Sequence, residues 1–206
     1  MSTKNKHQLF MLFACLLIMG ACSGSARASE FSADVIITGG PMPGEGKIWV
    51  KGQKMRQEMG KQEEKRVIIM DLDQGFLLRT LQGGIYIKTK IKSEGKGFRP
   101  ENFMWLQQGM AEAQIKVVGK ETVMGYECDK YLITFKNNEI GTMTQWFAIK
   151  LGYPIKTINK NAALGEVITE LQNIKKGGVK DDLFLLPDGF TELQQPLIPQ
   201  IPNKSQ

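Results

Sequence analysis

The sequence predicts a mainly β domain, an antiparallel meander with one short amphipathic helix laid against it. Three observations carry that prediction. Residues 46–59 read as two short strands hinged at Gly52-Gln53, with Met55, Gln57 and Met59 alternating against Lys54, Arg56 and Glu58. Alternation with period two marks a sheet that is buried on one face and wetted on the other. Turn residues then recur at intervals of about eight to twelve positions, the spacing of a meander. Only between Pro100 and Gln114 does the apolar period lengthen to that of a helix.

Taken in order, the first 28 residues stand apart from the fold. Lys4 and Lys6 precede an uncharged apolar run at 9–19, the anatomy of a secretory signal and too short to span a bilayer. Two cleavage sites compete. Ala26-Arg27-Ala28 offers small residues to an ordinary signal peptidase. Met19-Gly20-Ala21-Cys22 resembles a bacterial lipobox, although Met19 is not the favoured aliphatic residue there. The lipobox abuts the apolar run, so cleavage before Cys22 and lipidation of Cys22 is the leading expectation. Both place the chain on the periplasmic side of the cell envelope, as an outer-membrane lipoprotein or as a soluble periplasmic protein.

Losing Lys4, Lys6 and Arg27 lowers the formal charge from +6 to +3. The basic balance is then no argument for nucleic acid. His7, the one histidine, and Cys15 also fall in this segment, and beyond Cys22 only Cys128 is left to the folded part. Residues 29–193 make one domain, large enough to bury roughly two-thirds of its unfolded surface. Residues 194–206, with three prolines, read as an extended tail.

Within the domain, strands are expected at 31–38, 46–51, 54–59, 66–72, 76–81 and 85–91. In the last, Ile85, Ile87 and Ile91 face in while Tyr86, Lys88 and Lys90 face out. The helix at 100–114 carries Phe103, Leu106, Met110 and Ala113 on one stripe and must lay it on the sheet to be stable. Strands resume at 115–118, 127–135, 142–150, 155–159 and 166–174. Asp181 to Phe184 form one helical turn, stopped by Pro187-Asp188-Gly189.

The inventory for chemistry is thin. Gly39 to Lys47 imitates a phosphate loop, but Pro41 and Ile48 occupy positions that need Gly and Ser or Thr. Asp71 to Gly75 imitates a calcium loop with too few hard oxygens. Adjacent carboxylates at Glu63-Glu64 and Asp181-Asp182 point to opposite sides of an extended chain. Without a histidine in the folded part, no Ser-His or Cys-His pair forms. Cys128, between Glu127 and Asp129, reads as a small core residue whose thiolate is disfavoured. No catalytic residue, metal site or cofactor is expected. Met55, Met59, Met70, Met104, Met110, Met124 and Met143, with Phe76, Phe103, Phe135 and Phe147, give a deformable apolar interior suited to flexible acyl ligands.

Residues 46–58, Gly-Lys-Ile-Trp-Val-Lys-Gly-Gln-Lys-Met-Arg-Gln-Glu, resemble a strand pair of the LolA/LolB-like lipoprotein-carrier superfamily and its periplasmic relatives. The stretch 125–131 is similar to later motifs of those relatives, as are Trp146 with Pro154-Ile155, and Asp182-Leu183-Phe184 with Pro187-Asp188-Gly189-Phe190. The resemblance implies a curved antiparallel half-open β-barrel with short helices covering its concave face. It implies a cavity lined by Met55, Met59, Phe76, Leu78, Ile85, Ile87, Phe135 and Phe147, under a lid of Phe103, Leu106 and Met110. It implies a hydrophobic or lipid ligand held without catalysis. Arg56 and Arg79 are both candidates for an arginine that gates such a cavity. A sensor or scaffold domain binding a protein partner is the alternative from another class.

Overall fold

The computed structural model describes residues 29–61, 65–91, 97–100, 113–136 and 140–193. Within them the chain forms twelve strands: β1 (Glu30–Gly39), β2 (Gly44–Lys51), β3 (Lys54–Met59), β4 (Arg66–Asp71), β5 (Phe76–Leu81), β6 (Ile85–Lys90), β7 (Ala113–Val123), β8 (Tyr126–Phe135), β9 (Thr142–Ala148), β10 (Tyr153–Asn161), β11 (Gly165–Lys176) and β12 (Thr191–Glu192). One 3-10 turn, Asp181–Phe184, stands where the sequence places it.

All twelve strands belong to one sheet in the order β12-β6-β5-β4-β3-β2-β1-β11-β10-β9-β8-β7. Two meanders, β1 to β6 and β7 to β11, are sewn together by the antiparallel pairing of β1 with β11. The sheet is curved and does not close, as the half-barrel expectation requires. The hairpin between β2 and β3 turns on Gly52 at φ +63°, a left-handed conformation that glycine adopts without Cβ strain.

One face carries the larger core and is here the inner face. Phe31, Val50, Met55, Met70 and Leu77 lie in one cross-strand row from β1 to β5 and are all buried. Phe98, at the start of the connection from β6 to β7, is buried on this core, its ring 5.2 Å from that of Tyr153 on β10. Tyr153 also meets Phe31 edge-on at 5.6 Å. Burial pushes the Tyr153 phenol well above its ordinary value. Cys128 is fully buried in the same core, and burial followed by the charges of Asp129 and Glu121 raises its thiol. It is a packing residue, as its sequence context indicates.

The outer face departs from expectation. The alternation in β3 assigns Arg56 to a wet face, yet Arg56 is 8% exposed. The cause is residues 179–186, which run back over β3 to β5 as a strap. Val179 and Phe184 pack with Val67, Ile69 and Leu78, flanked by Trp49, Phe76 and Tyr86. Tyr86, expected to face solvent, is therefore half-buried under the strap. Arg56 Nη1 donates to the carbonyls of Leu183 at 2.9 Å and Leu185 at 3.0 Å.

Other boundaries shift in readable ways. Ala113, assigned to the helical stripe, opens β7, and β7 continues to Val123 rather than stopping at Val118. The helix expected at 100–114 otherwise falls outside the described residues. Pro154, which cannot donate to a ladder, sits at the register shift between β9 and β10. The two-residue β12 pairs in parallel with β6 and has no signal in the sequence.

Candidate functional site: a half-open apolar strip

The inner face is not uniform. Beyond the sealed row lies Ala33–Ile48–Gln57–Ile68–Arg79–Ile87, and beyond that Val35–Gly46–Met59–Arg66. At these levels Met59, Ile68, Ile85 and Ile87 are only half-buried, as is Ile37 further along β1. Ile37, Met59 and Ile68 pack against the larger core on one side and remain open on the other. Arg79 is exposed between Ile68 and Ile87. The result is a broken apolar strip from β1 to β6: Ala33, Val35 and Ile48 in these rows are sealed, Gln57 is polar, and the guanidiniums of Arg66 and Arg79 stand among the open residues.

Glycine makes room for it. A Cβ at Gly46 would come within 2.0 Å of the Glu58 carbonyl oxygen and 2.6 Å of the Met59 sulfur. No side chain larger than hydrogen lets Met59 lie across β2 at that point. The thioether is thus laid flat on the face, where its polarisable, unbranched chain adapts to what covers it.

The residues expected to line a cavity divide into groups. Met55 is sealed in the core, while Met59, Ile85 and Ile87 form the strip. Phe76 and Leu78 stand on the outer face with the strap, because their register partners are Lys90 and Ile69 rather than inner-face residues. Phe135 and Phe147 are buried across the sheet on β8 and β9. Phe147 meets Tyr131 edge-on at 6.4 Å and lines with it a cleft of about 160 Å3 beside Gly97 and Arg99. Phe103, Leu106, Met110 and Cys22 lie outside the described residues.

The structure also separates the two arginines. Arg56 is committed to the outer face: its Nη2 lies 2.7 Å from Glu58, which Lys65 meets at 2.5 Å. Burial alone would raise the Glu58 carboxyl, but hydrogen bonds from Lys65 and Arg56 outweigh it and hold the group below the ordinary carboxylate value. Of the two candidates Arg79 stands on the inner face, where Arg66, the cross-strand partner of Met59, joins it. Sequence reasoning misses the Arg56 clamp because nothing in β3 announces a cover that arrives more than a hundred positions later. The Asp182-Leu183-Phe184 motif is visible in the sequence, its docking site is not.

The matched family stretch coincides with this region. A family model, DUF4412, described as a domain of unknown function, matches residues 36–151, more than half of the chain. The chain belongs to the DUF4412 family. The DUF4412 match contains Ile37, Met59, Ile68, Arg79, Ile85 and Ile87 and leaves the first part of β1, β10, β11 and the strap outside it. No functionally curated protein matches the chain.

Among solved structures, an uncharacterized conserved protein from Thermus thermophilus is 8% identical over 82% of this chain and 93% of its own, with a TM-score of 0.54. PNGF-II is 14% identical over 82% of this chain but only 31% of its own length, with a TM-score of 0.53. A LolA superfamily protein, NE2245 from Nitrosomonas europaea, is 11% identical over 77% of this chain and 91% of its own, at a TM-score of 0.37. For the first two of these the likeness is one of fold. The LolA-like resemblance stated from the sequence is present among the matches.

Proposed function

We propose that this DUF4412 chain is a non-catalytic cell-envelope protein that holds a hydrophobic or lipid ligand against the strip formed by Ile37, Met59, Ile68, Ile85 and Ile87. The observation that carries the reading is the half-exposure of these side chains on a face whose neighbouring row is sealed. Apolar surface left at an open sheet is stabilised by a guest, at roughly 0.8 kcal/mol per buried methylene. From β1 to β6 is five strand spacings, roughly 24 Å, enough to lay an acyl chain along the strip. Arg79 is placed to meet a carboxylate or phosphate at the end of such a chain. The signal at 1–28 and lipidation at Cys22 would deliver domain 29–193 to the envelope, with the anchor in the membrane.

Native mass spectrometry of protein purified without detergent tests the reading. Co-purifying acyl lipid, lost in Met59→Glu, is the expected result. A ligand-free mass together with no uptake of added fatty acid would overturn it.

A second reading has its own observation. β7 is the outermost strand, paired among the described residues with β8 alone, and Val117 and Val118 are 60% and 49% exposed. A free strand edge with apolar side chains accepts an extended segment of a protein partner. On that reading Val117→Lys abolishes partner capture and leaves lipid content unchanged.

A further inference from the structure

The strap leaves part of the outer face bare. Between it and the Gly60 turn, strands β1 to β3 and the end of β11 frame a groove of about 620 Å3, lined by Asp34, Ile36, Lys47, Glu58, Lys65 and Asn173 among others. A second hollow of about 280 Å3 adjoins it, sharing Asp34, Lys47 and Asn173 and adding Trp49 and Lys175. From the groove and its charges we infer that it binds a neutral, polyhydroxylated ligand, an oligosaccharide. The inference is independent of the inner strip and of any ligand held there.

Three features set the ligand class. First, the charges cancel locally. The acids lining the larger groove are Asp34, Glu45 and Glu58 and the bases are Lys47, Lys61 and Lys65, so that groove carries no net formal charge, and the adjoining hollow adds one further base, Lys175. Lys47 lies 3.8 Å from Asp34, and Glu58 is held by Arg56 and Lys65. Second, donors and acceptors alternate along the floor, which suits hydroxyl groups that both donate and accept. Third, Ile36 and the neighbouring Trp49 supply apolar surface for the C–H face of a sugar ring. The volume lies in the range of ordinary small-molecule sites.

Local backbone geometry builds the polar centre. The register of β1 and β11 jumps from Ser32↔Lys175 to Asp34↔Gln172. The bulge puts Asn173 at φ +52°, a left-handed conformation that asparagine tolerates better than most residues. Its Nδ2 donates to Asp34 Oδ2 at 2.7 Å. The bulge thereby fixes Asp34 in the groove and leaves its other oxygen facing Lys47.

The test is titration of the full-length protein with chitotetraose and maltotetraose, read by calorimetry and by tryptophan fluorescence, with a sulfated oligosaccharide as contrast. Binding of a neutral oligosaccharide, weakened at least tenfold by Asp34→Ala and by Lys47→Ala, is expected. Both positions are solvent-accessible, and if Asp34→Ala fails to fold, Lys47→Ala decides alone. Binding unchanged in Lys47→Ala, preference for the sulfated chain, or no binding of either neutral oligosaccharide overturns the inference.

Discussion

Strands β3 to β5 bury apolar residues on both faces, but by different means. On the outer face, Val67, Ile69 and Leu78 are sealed by a separate piece of chain, the strap, bolted down by Phe184, by the Arg56 clamp and by a 2.8 Å ion pair between Lys51 and Asp181. On the inner face, Met55, Met70 and Leu77 are sealed by the curved sheet together with Phe98 of the β6–β7 connection, while Met59, Ile68, Ile85 and Ile87 are left half-open. Apolar residues thus do not by themselves define a core. What covers them decides whether they are structure or site.

The contrast can be broken most strongly at the strap. Phe184→Ala should cost about 3–5 kcal/mol, the range for deleting a buried aromatic, seen as a lower urea midpoint. Arg56→Ala comes next. It strands Glu58 with Lys65 alone and leaves the Leu183 and Leu185 carbonyls without their donor, for a loss of about 2–3 kcal/mol by the same measurement.

Within the inner face the comparison is sharpened by matched truncations. Met70→Ala in the sealed row should cost about 2–5 kcal/mol. Ile87→Ala in the strip should cost about 1 kcal/mol. Equal losses would mean that the strip is as firmly packed as the row beside it.

The smallest effect is the pH dependence of the clamp. The Glu58 carboxyl is depressed in the folded state, so its contribution is complete above the unfolded carboxylate value of about 4.3. It is lost as pH falls through the lower folded value. Urea unfolding from about pH 6 down to about pH 3 should therefore show an acid limb that Glu58→Gln reduces.

How much of this is legible in the sequence follows from the range of each signal. Period two and turn chemistry are local, so nearly every strand of β1 to β6 is placed within a residue or two, and so is the 3-10 turn at Asp181. The face of a residue is local only while one knows what lies over it. Alternation leaves Arg56 and Tyr86 in solvent, and the resemblance places Phe76 and Leu78 in the cavity, because the strap that covers all four comes from beyond residue 178. β12 is invisible because two residues held to β6 by hydrogen bonds from Thr191 and Leu193 carry no period at all. Of the site, Met59, Ile85 and Ile87 can be read from alternation. Ile37 and Ile68 join them only through register, and Asp34 and Asn173 meet only through a bulge.

The central claim is that the strip is open because it receives a hydrophobic guest. Equilibrium binding of a fluorescent fatty acid to the wild-type protein and to a Met59→Glu/Ile87→Glu variant tests it most directly, with melting temperature as the control. The account predicts saturable binding that falls at least tenfold in the variant while melting changes by only a few degrees. Equal binding by both proteins would contradict it.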